Sequence, residues 1–257
     1  MNAEQFEQIA VLLQSNIEEA EKQLIPFLSD PQSIFFLLQI IETPPSEISQ
    51  RTALTLISRS IQNNISALNE ETRSTLINSL IQLSFTNEAN FIKLFPILFA
   101  YIKKDLQKCV QIIEMSEKFL AEGQFPLTSI LFLEKLIPCF DPESSQSFLS
   151  SHFENFLNFS LTYLQSEDWK FVIPSMRIFF YTIALIPPES RVDYPQYSII
   201  FNRFPDESNK NNFSSFWAII EDAISLELIP DNYIVSLYSW IMQTVNQKEV
   251  SYESKIL

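Results

Sequence analysis

His152 is the only histidine in the chain, so a Ser-His-Asp or Cys-His arrangement has a single possible base. Its context, Ser150-Ser151-His152-Phe153, offers no sharp turn to present a nucleophile, and a histidine on a helix surface is expected instead. Adjacent carboxylates are the next candidates for acid–base work: Glu18-Glu19, Glu70-Glu71, Glu167-Asp168 and Glu221-Asp222. Three of these four pairs fall where helices should begin, and there a negative side chain complements the helix dipole without any chemistry. Cys109 and Cys139 lie in apolar stretches with no Cys-x-x-Cys spacing, which argues against a zinc site or a disulfide framework and for a reduced cytosolic or nuclear setting. No His-Glu-x-x-His, Asp-Asp-x-x-Asp or EF-hand spacing occurs. The expectation is a chain with no catalytic residue, no cofactor and no metal.

Elements that must position any functional residue are constrained by glycine, of which the chain has only Gly123. Tight hairpins, phosphate-cradling loops and nucleophile elbows need residues at positive φ, so almost none can be built. Helix is what remains. Its breaks are supplied by proline and polar clusters: Ser29-Asp30-Pro31, Thr43-Pro44-Pro45-Ser46, Phe140-Asp141-Pro142 and Ile186-Pro187-Pro188-Glu189. Gly123 itself is expected to close a helix over 105–121 as its C-cap.

Composition narrows the partners. Hydrophobic residues make up 46% of the chain, enough for a substantial core. The formal net charge of −14 makes the phosphate term of nucleic-acid or anionic-lipid binding repulsive, and it favours basic protein partners. The 23 phenylalanines lack the basic interleaving of a nucleic-acid stacking surface, and their helical spacing assigns most of them to the core. The start of the chain has no signal-peptide pattern, so the Asn-x-Ser sequons at Asn64, Asn158 and Asn212 carry little meaning. The greasiest stretch, Phe171 to Pro188, contains Arg177 and is too short for a membrane span, so a buried helix and no membrane insertion are expected.

Apolar residues recur with helical period throughout. Phe6, Ile9, Ala10 and Leu13 share one face. Asn16 caps a second helix with Ile17, Ala20, Leu24 and Leu28 inward, and Asp30-Pro31 opens a third with Ile34, Phe35, Leu38 and Ile41. After Ser46 a longer helix runs to about Asn64 with Ala53, Leu56, Ile57 and Ile61 buried. Asn69-Glu70-Glu71 and Thr86-Asn87-Glu88 start two more. Paired helices follow at about 105–121 and 126–140, 143–165 and 168–186, and 212–228 and 231–246. Pro26, Pro96, Pro138 and Pro174 fall inside helices, which predicts bends held by packing neighbours. The stretch 192–212 reads as an irregular loop. Pairs of this length point to an all-α solenoid of helical hairpins, of the HEAT or armadillo type.

Over residues 1–104 the order of features resembles the N-terminal domain of the importin-beta (karyopherin-beta) nuclear transport receptors. A short amphipathic helix, Glu4 to Leu13, precedes Ala20-Glu21-Lys22-Gln23-Leu24, which looks like the family's Ala-Glu-x-x-Leu. The apolar Phe35-Phe36-Leu37-Leu38-Gln39-Ile40-Ile41 comes next, and then a run from Arg51 to Ile61 that is similar to the family's Arg-x-x-Ala…Leu…Lys/Arg…Ile helix. After Ile61, where many members place a tryptophan, this chain reads Gln62-Asn63-Asn64-Ile65-Ser66-Ala67-Leu68. Residues 105–257 continue as further helical repeats.

The resemblance implies a nonenzymatic transport receptor, or the N-terminal part of one, shared between cytoplasm and nucleus. Its implied partners are a Ran-type small GTPase in the GTP form, basic cargo and FG nucleoporins. By position, Arg59 looks like the basic residue that faces Ran, with Asn63 one turn later. Arg51 and Arg59 are separated by about 80° around the helix, so they need not share a partner. The alternative is a helical-repeat scaffold that assembles cytosolic complexes without Ran, which the same helix pairing would serve.

Overall fold

The computed structural model describes residues 1–103, 105–140, 146–188, 191, 193–203 and 210–239. Within them every regular element is helical. The all-α class expected from the glycine scarcity is the observed one. Contacts divide the chain into two compact units, Met1–Ser129 and Ile130–Leu257, with the boundary inside a helix. The division at 104/105 above follows the reach of a resemblance, whereas this one follows packing.

The first unit begins with α1 (Ala3–Ser15), α2 (Ile17–Leu28), α3 (Gln32–Glu42), α4 (Glu47–Asn64), α5 (Glu70–Thr86), α6 (Glu88–Ile102) and α7 (Leu106–Ala121). Successive helices pair as α1 with α2, α3 with α4 and α5 with α6. Pairs then stack. α3 touches α5 and α4 touches α6, so the second and third pairs stack first helix on first and second on second, while both helices of the first pair, α1 and α2, lie against α4. That is the packing of a helical repeat, in which each pair buries its apolar face against the next. Ala20 and Ala53, both fully buried, lie on helices α2 and α4 that touch each other.

Most starts are set by side-chain caps. The carboxamide oxygens of Asn16, Asn69 and Asn87 accept from backbone N–H groups three residues on, at 3.2, 2.8 and 2.9 Å. Asn2 and Gln5 form a reciprocal capping box. Such a cap contributes about 1 kcal/mol. Ile17 departs from the expected buried stripe of α2: its spacing puts it on the face of Ala20, Leu24 and Leu28, but at the first position of the helix it is 61% exposed. Leu13, Phe35 and Leu56, at the margins of their stripes, are half-buried instead of buried.

The second unit contains the 3₁₀ turn Ile137–Cys139 that follows α8 (Pro126–Leu136), then α9 (Gln146–Leu164), α10 (Trp169–Ala184), α11 (Pro195–Phe201), α12 (Lys210–Ser225) and helical residues 231–239. α9 pairs with α10, α11 adjoins α9, and α12 adjoins α10. Two sequence expectations change here. Pro138 does not interrupt an α-helix, because α8 has already ended and the proline lies in the 3₁₀ turn. The stretch 192–212 is not wholly irregular: α11 fits inside it, with Gln196, Tyr197, Ile200 and Phe201 buried. Seven residues, the first of them Pro195, are too few to display a helical period. Residues 204–209 and 240–246, parts of the expected loop and of the expected last helix, lie outside the described residues, as do Asp141, Pro142 and Glu189. Pro26, Pro96 and Pro174 do lie inside helices, as expected.

The stretch from Phe171 begins as a buried helix: Val172, Met176, Phe179, Phe180 and Ile183 of α10 are core residues. Phe179 meets Tyr197 edge-on at 4.9 Å, and the Tyr197 hydroxyl donates to the Leu228 carbonyl at 2.5 Å. Burial pushes the Tyr197 pKa up to about 12, so it stays a neutral donor. No single helix among the described residues is long and apolar enough to cross a membrane.

Helix ends show how a chain with one glycine stops its helices. Gly123, at φ 69°, closes α7: its N–H donates to Leu120 O at 3.2 Å, and Gln124 N–H reaches Phe119 O at 2.7 Å. That is a Schellman motif. The same pair of bonds recurs after α12, where Glu227 N–H donates to Ile224 O and Leu228 N–H to Ala223 O, but here a glutamate holds φ 53°. Arginines serve other carbonyls near helix ends. Arg73 donates to Ile65 O and Ser66 O, Arg191 to Ile186 O and Glu227 O, and Arg203 to Leu164 O and Ser166 O.

Glu227→Gly is therefore expected to raise stability by roughly 0.5–1 kcal/mol, since the left-handed strain is removed at some cost in unfolded-chain entropy. The Glu227 side chain is exposed, and Arg191 bonds its backbone, so no contact is lost. An unchanged or lowered melting temperature for the variant would refute this account.

Candidate functional site

The surface singled out by the sequence lies on α4. Pro44-Pro45 follows the end of α3, and Ser46 caps α4 by accepting from Ser49 N–H at 3.2 Å. Along the eighteen residues of α4, Ala53, Leu54, Ile57, Ser60, Ile61 and Asn64 are buried against the neighbouring helices. The polar positions Arg51, Thr55, Arg59, Gln62 and Asn63 are exposed. Register alone produces this division, because residues three and four apart share a helical face.

Two buried polar contacts fix the helix that carries the exposed row. Ser33 and Ser60 hydroxyls meet at 2.5 Å, which ties α3 to α4. The Asn64 amide donates to Leu28 O at 2.8 Å and to Ser60 O at 2.9 Å, so the last turn of α4 is pinned to the end of α2. Arg59 stands just over one turn before that pin.

Arg51 and Arg59 differ in their surroundings. Arg51 pairs with Glu47 at 2.5 Å, one turn back on the same helix, and both side chains are over 70% exposed. Arg59 forms no ion pair among the described residues. Asn63, one turn further along, is likewise exposed. A guanidinium with five donors beside a carboxamide, on a helix held rigidly from beneath, suits recognition of a carboxylate or carbonyl on another protein.

The other candidates occupy structural positions. His152 lies half-buried on α9 between Phe148 and Phe156, with ring centroids 4.2 and 6.0 Å away. Glu18-Glu19 and Glu70-Glu71 are in the first turns of α2 and α5. Asp168 caps α10, its carboxylate accepting from Lys170 N–H at 2.9 Å. Glu221 and Asp222 fall near the end of α12, the exception to the pattern. Cys109 is buried and Cys139 is half-buried in the 3₁₀ turn, and neither forms a disulfide among the described residues. No group of three metal-ligating side chains occurs among the described residues.

One constellation has no signature in any single stretch of sequence. Glu134 on α8, only 4% exposed, takes a charge-assisted hydrogen bond from Arg177 on α10 and lies 3.2 Å from the Lys135 ammonium. An arginine inside an apolar stretch is itself a signal of a buried partner. The first unit also holds two open grooves. A larger one of about 760 Å³ is lined by Gln5, Gln8, Ile9, Gln23 and Phe27, and a smaller one of about 340 Å³ by Leu38, Ile41, Gln50, Leu83 and Asn90. Both mix polar and apolar walls. Comparison with known proteins adds no relative: no protein-family model matches the chain, and no curated protein matches it significantly.

Proposed function

We propose that this chain is a nonenzymatic protein-binding module of the importin-beta type, acting in nucleocytoplasmic transport by engaging a Ran-type GTPase through α4. The observation that carries the reading is the exposed Arg59–Asn63 row on the second helix of the second pair. It is supported by the order of sequence features from Ala20 to Ile61 that resembles that family. The net charge of −14 favours basic cargo and speeds its encounter. FG nucleoporins would dock in grooves between helices, and the protein would move between cytoplasm and nucleus.

The test is binding to a Ran-type GTPase locked in its GTP and GDP forms. GTP-dependent binding is expected, weakened tenfold or more by Arg59→Glu, since reversing a charge that meets a carboxylate costs about 2 kcal/mol or more. Arg51→Glu is the control, because Arg51 is already paired with Glu47. If the folded protein binds neither nucleotide form, the transport reading fails, and the Ran-independent scaffold remains.

A further inference from the structure

Thr43-Pro44 is the only Ser/Thr-Pro step in the chain, and it lies in the turn between α3 and α4. We propose that Thr43 is a phosphoacceptor site for a proline-directed serine/threonine kinase. Such kinases bind an extended segment and favour proline after the acceptor, where any other residue would leave a backbone N–H buried without a partner. Thr43 is already outside the helical region, at φ −129° and ψ 74°. Pro44 keeps it there, since the α region is disfavoured before a proline.

Access is the second requirement. Residues 42–45 and Glu47 are exposed, Ser46 is half-buried, and residues 43–46 lie between α3 and α4, so the acceptor and the residues after it can be engaged with no more than the last turn of α3 opened. Many other hydroxyls in the chain are held inside helices: those of Thr55, Thr75 and Thr162 donate to carbonyls one turn back. Thr43 also bonds Gln39 O, at 3.0 Å, but from the end of its helix, where a rotation about χ1 frees it. Ser46 is a poor competitor, because its oxygen accepts from Ser49 N–H and its hydroxyl donates to the Ser49 side chain.

In the transfer, the Thr43 oxygen attacks the γ-phosphorus of kinase-bound ATP. The new O–P bond forms as the bridging bond to ADP breaks, and the hydroxyl proton passes to the kinase's catalytic carboxylate. The product adds about 1.5 to 2 negative charges to a turn already flanked by Glu42 and Glu47. Arg59 lies about 18 Å further along α4, beyond the Debye length of about 8 Å, so this site and the proposed Ran contact act separately.

The experiment treats the folded chain with a proline-directed kinase whose activity is verified on a Thr-Pro peptide, and it locates phosphate by mass spectrometry. A single phosphate on Thr43 is expected, lost in Thr43→Ala and reduced at least tenfold in Pro44→Ala. Ser46→Ala should leave it in place. Circular dichroism checks that each variant is folded. The proposal is overturned if the folded chain is not modified while the peptide is, or if Thr43→Ala is labelled as well as the parent.

Discussion

Arg177→Met is expected to destabilise the second unit by about 3–5 kcal/mol, because it strands a buried carboxylate. Glu134 is 4% exposed, whereas Arg177 is 31% exposed. The penalty therefore falls unequally: without Arg177 the glutamate stays in a dry site, and without Glu134 the arginine can still reach water. The Lys135 ammonium, 3.2 Å from Glu134 and 44% exposed, softens the loss and places the effect toward the lower end. Urea unfolding followed by tryptophan fluorescence reads this directly, since all three tryptophans fall within residues 130–257. Pairing Arg177→Met with Glu134→Gln should recover most of the loss, because the uncompensated charge has gone. A single variant within about 1 kcal/mol of the parent would show that the pair carries no such penalty.

What the sequence made legible was local. Asn16, Ser46, Asn69 and Asn87 announce helix starts because a cap and the N–H it serves are three residues apart. The buried stripes of α2 and α4 follow from a period that needs only consecutive residues. The row containing Arg59 and Asn63 was visible for the same reason, as the polar complement of that stripe. Helix ends were less legible. Gly123 signals one end, but Arg203 caps carbonyls 39 and 37 residues away, and Arg191 reaches one 36 residues away. No short window of sequence contains both partners. The same distance hides the Glu134–Arg177 pair, 43 residues apart. Residue type gave a clue there: a charge amid apolar residues must find a partner, face solvent, or be neutralised. Glutamate at φ 53° was illegible for another reason, since its type argues against the conformation that the chain imposes.

Asn64 shows how a residue read as a bare sequon acquires a structural task. The residue is 4% exposed, and its side-chain nitrogen donates twice, once to Leu28 O and once to Ser60 O. A glycan cannot be attached to a nitrogen so placed without opening the end of α4. Asn64→Asp keeps the shape but replaces two donors with an acceptor that faces two carbonyl oxygens. At neutral pH the variant is expected to lose about 3–5 kcal/mol, through an unpaired buried charge and two lost hydrogen bonds. Burial and the facing carbonyls both disfavour the anion, so the folded-state pKa of the introduced carboxyl rises above the unfolded value of about 3.9. The folded form then holds the proton more tightly than the unfolded chain. The stability deficit should accordingly be smallest below about pH 4, widen as pH rises through the folded-state pKa, and level off above it. Protonation of the introduced carboxyl restores only one of the two donors, so the deficit shrinks at low pH without vanishing. Asn64→Ala lacks the titratable group and should differ from the parent by an amount that does not change between about pH 4 and pH 8. Far-UV circular dichroism during urea unfolding distinguishes the two variants, and parallel pH profiles for both would mean that the Asn64 site is wet enough to solvate a carboxylate.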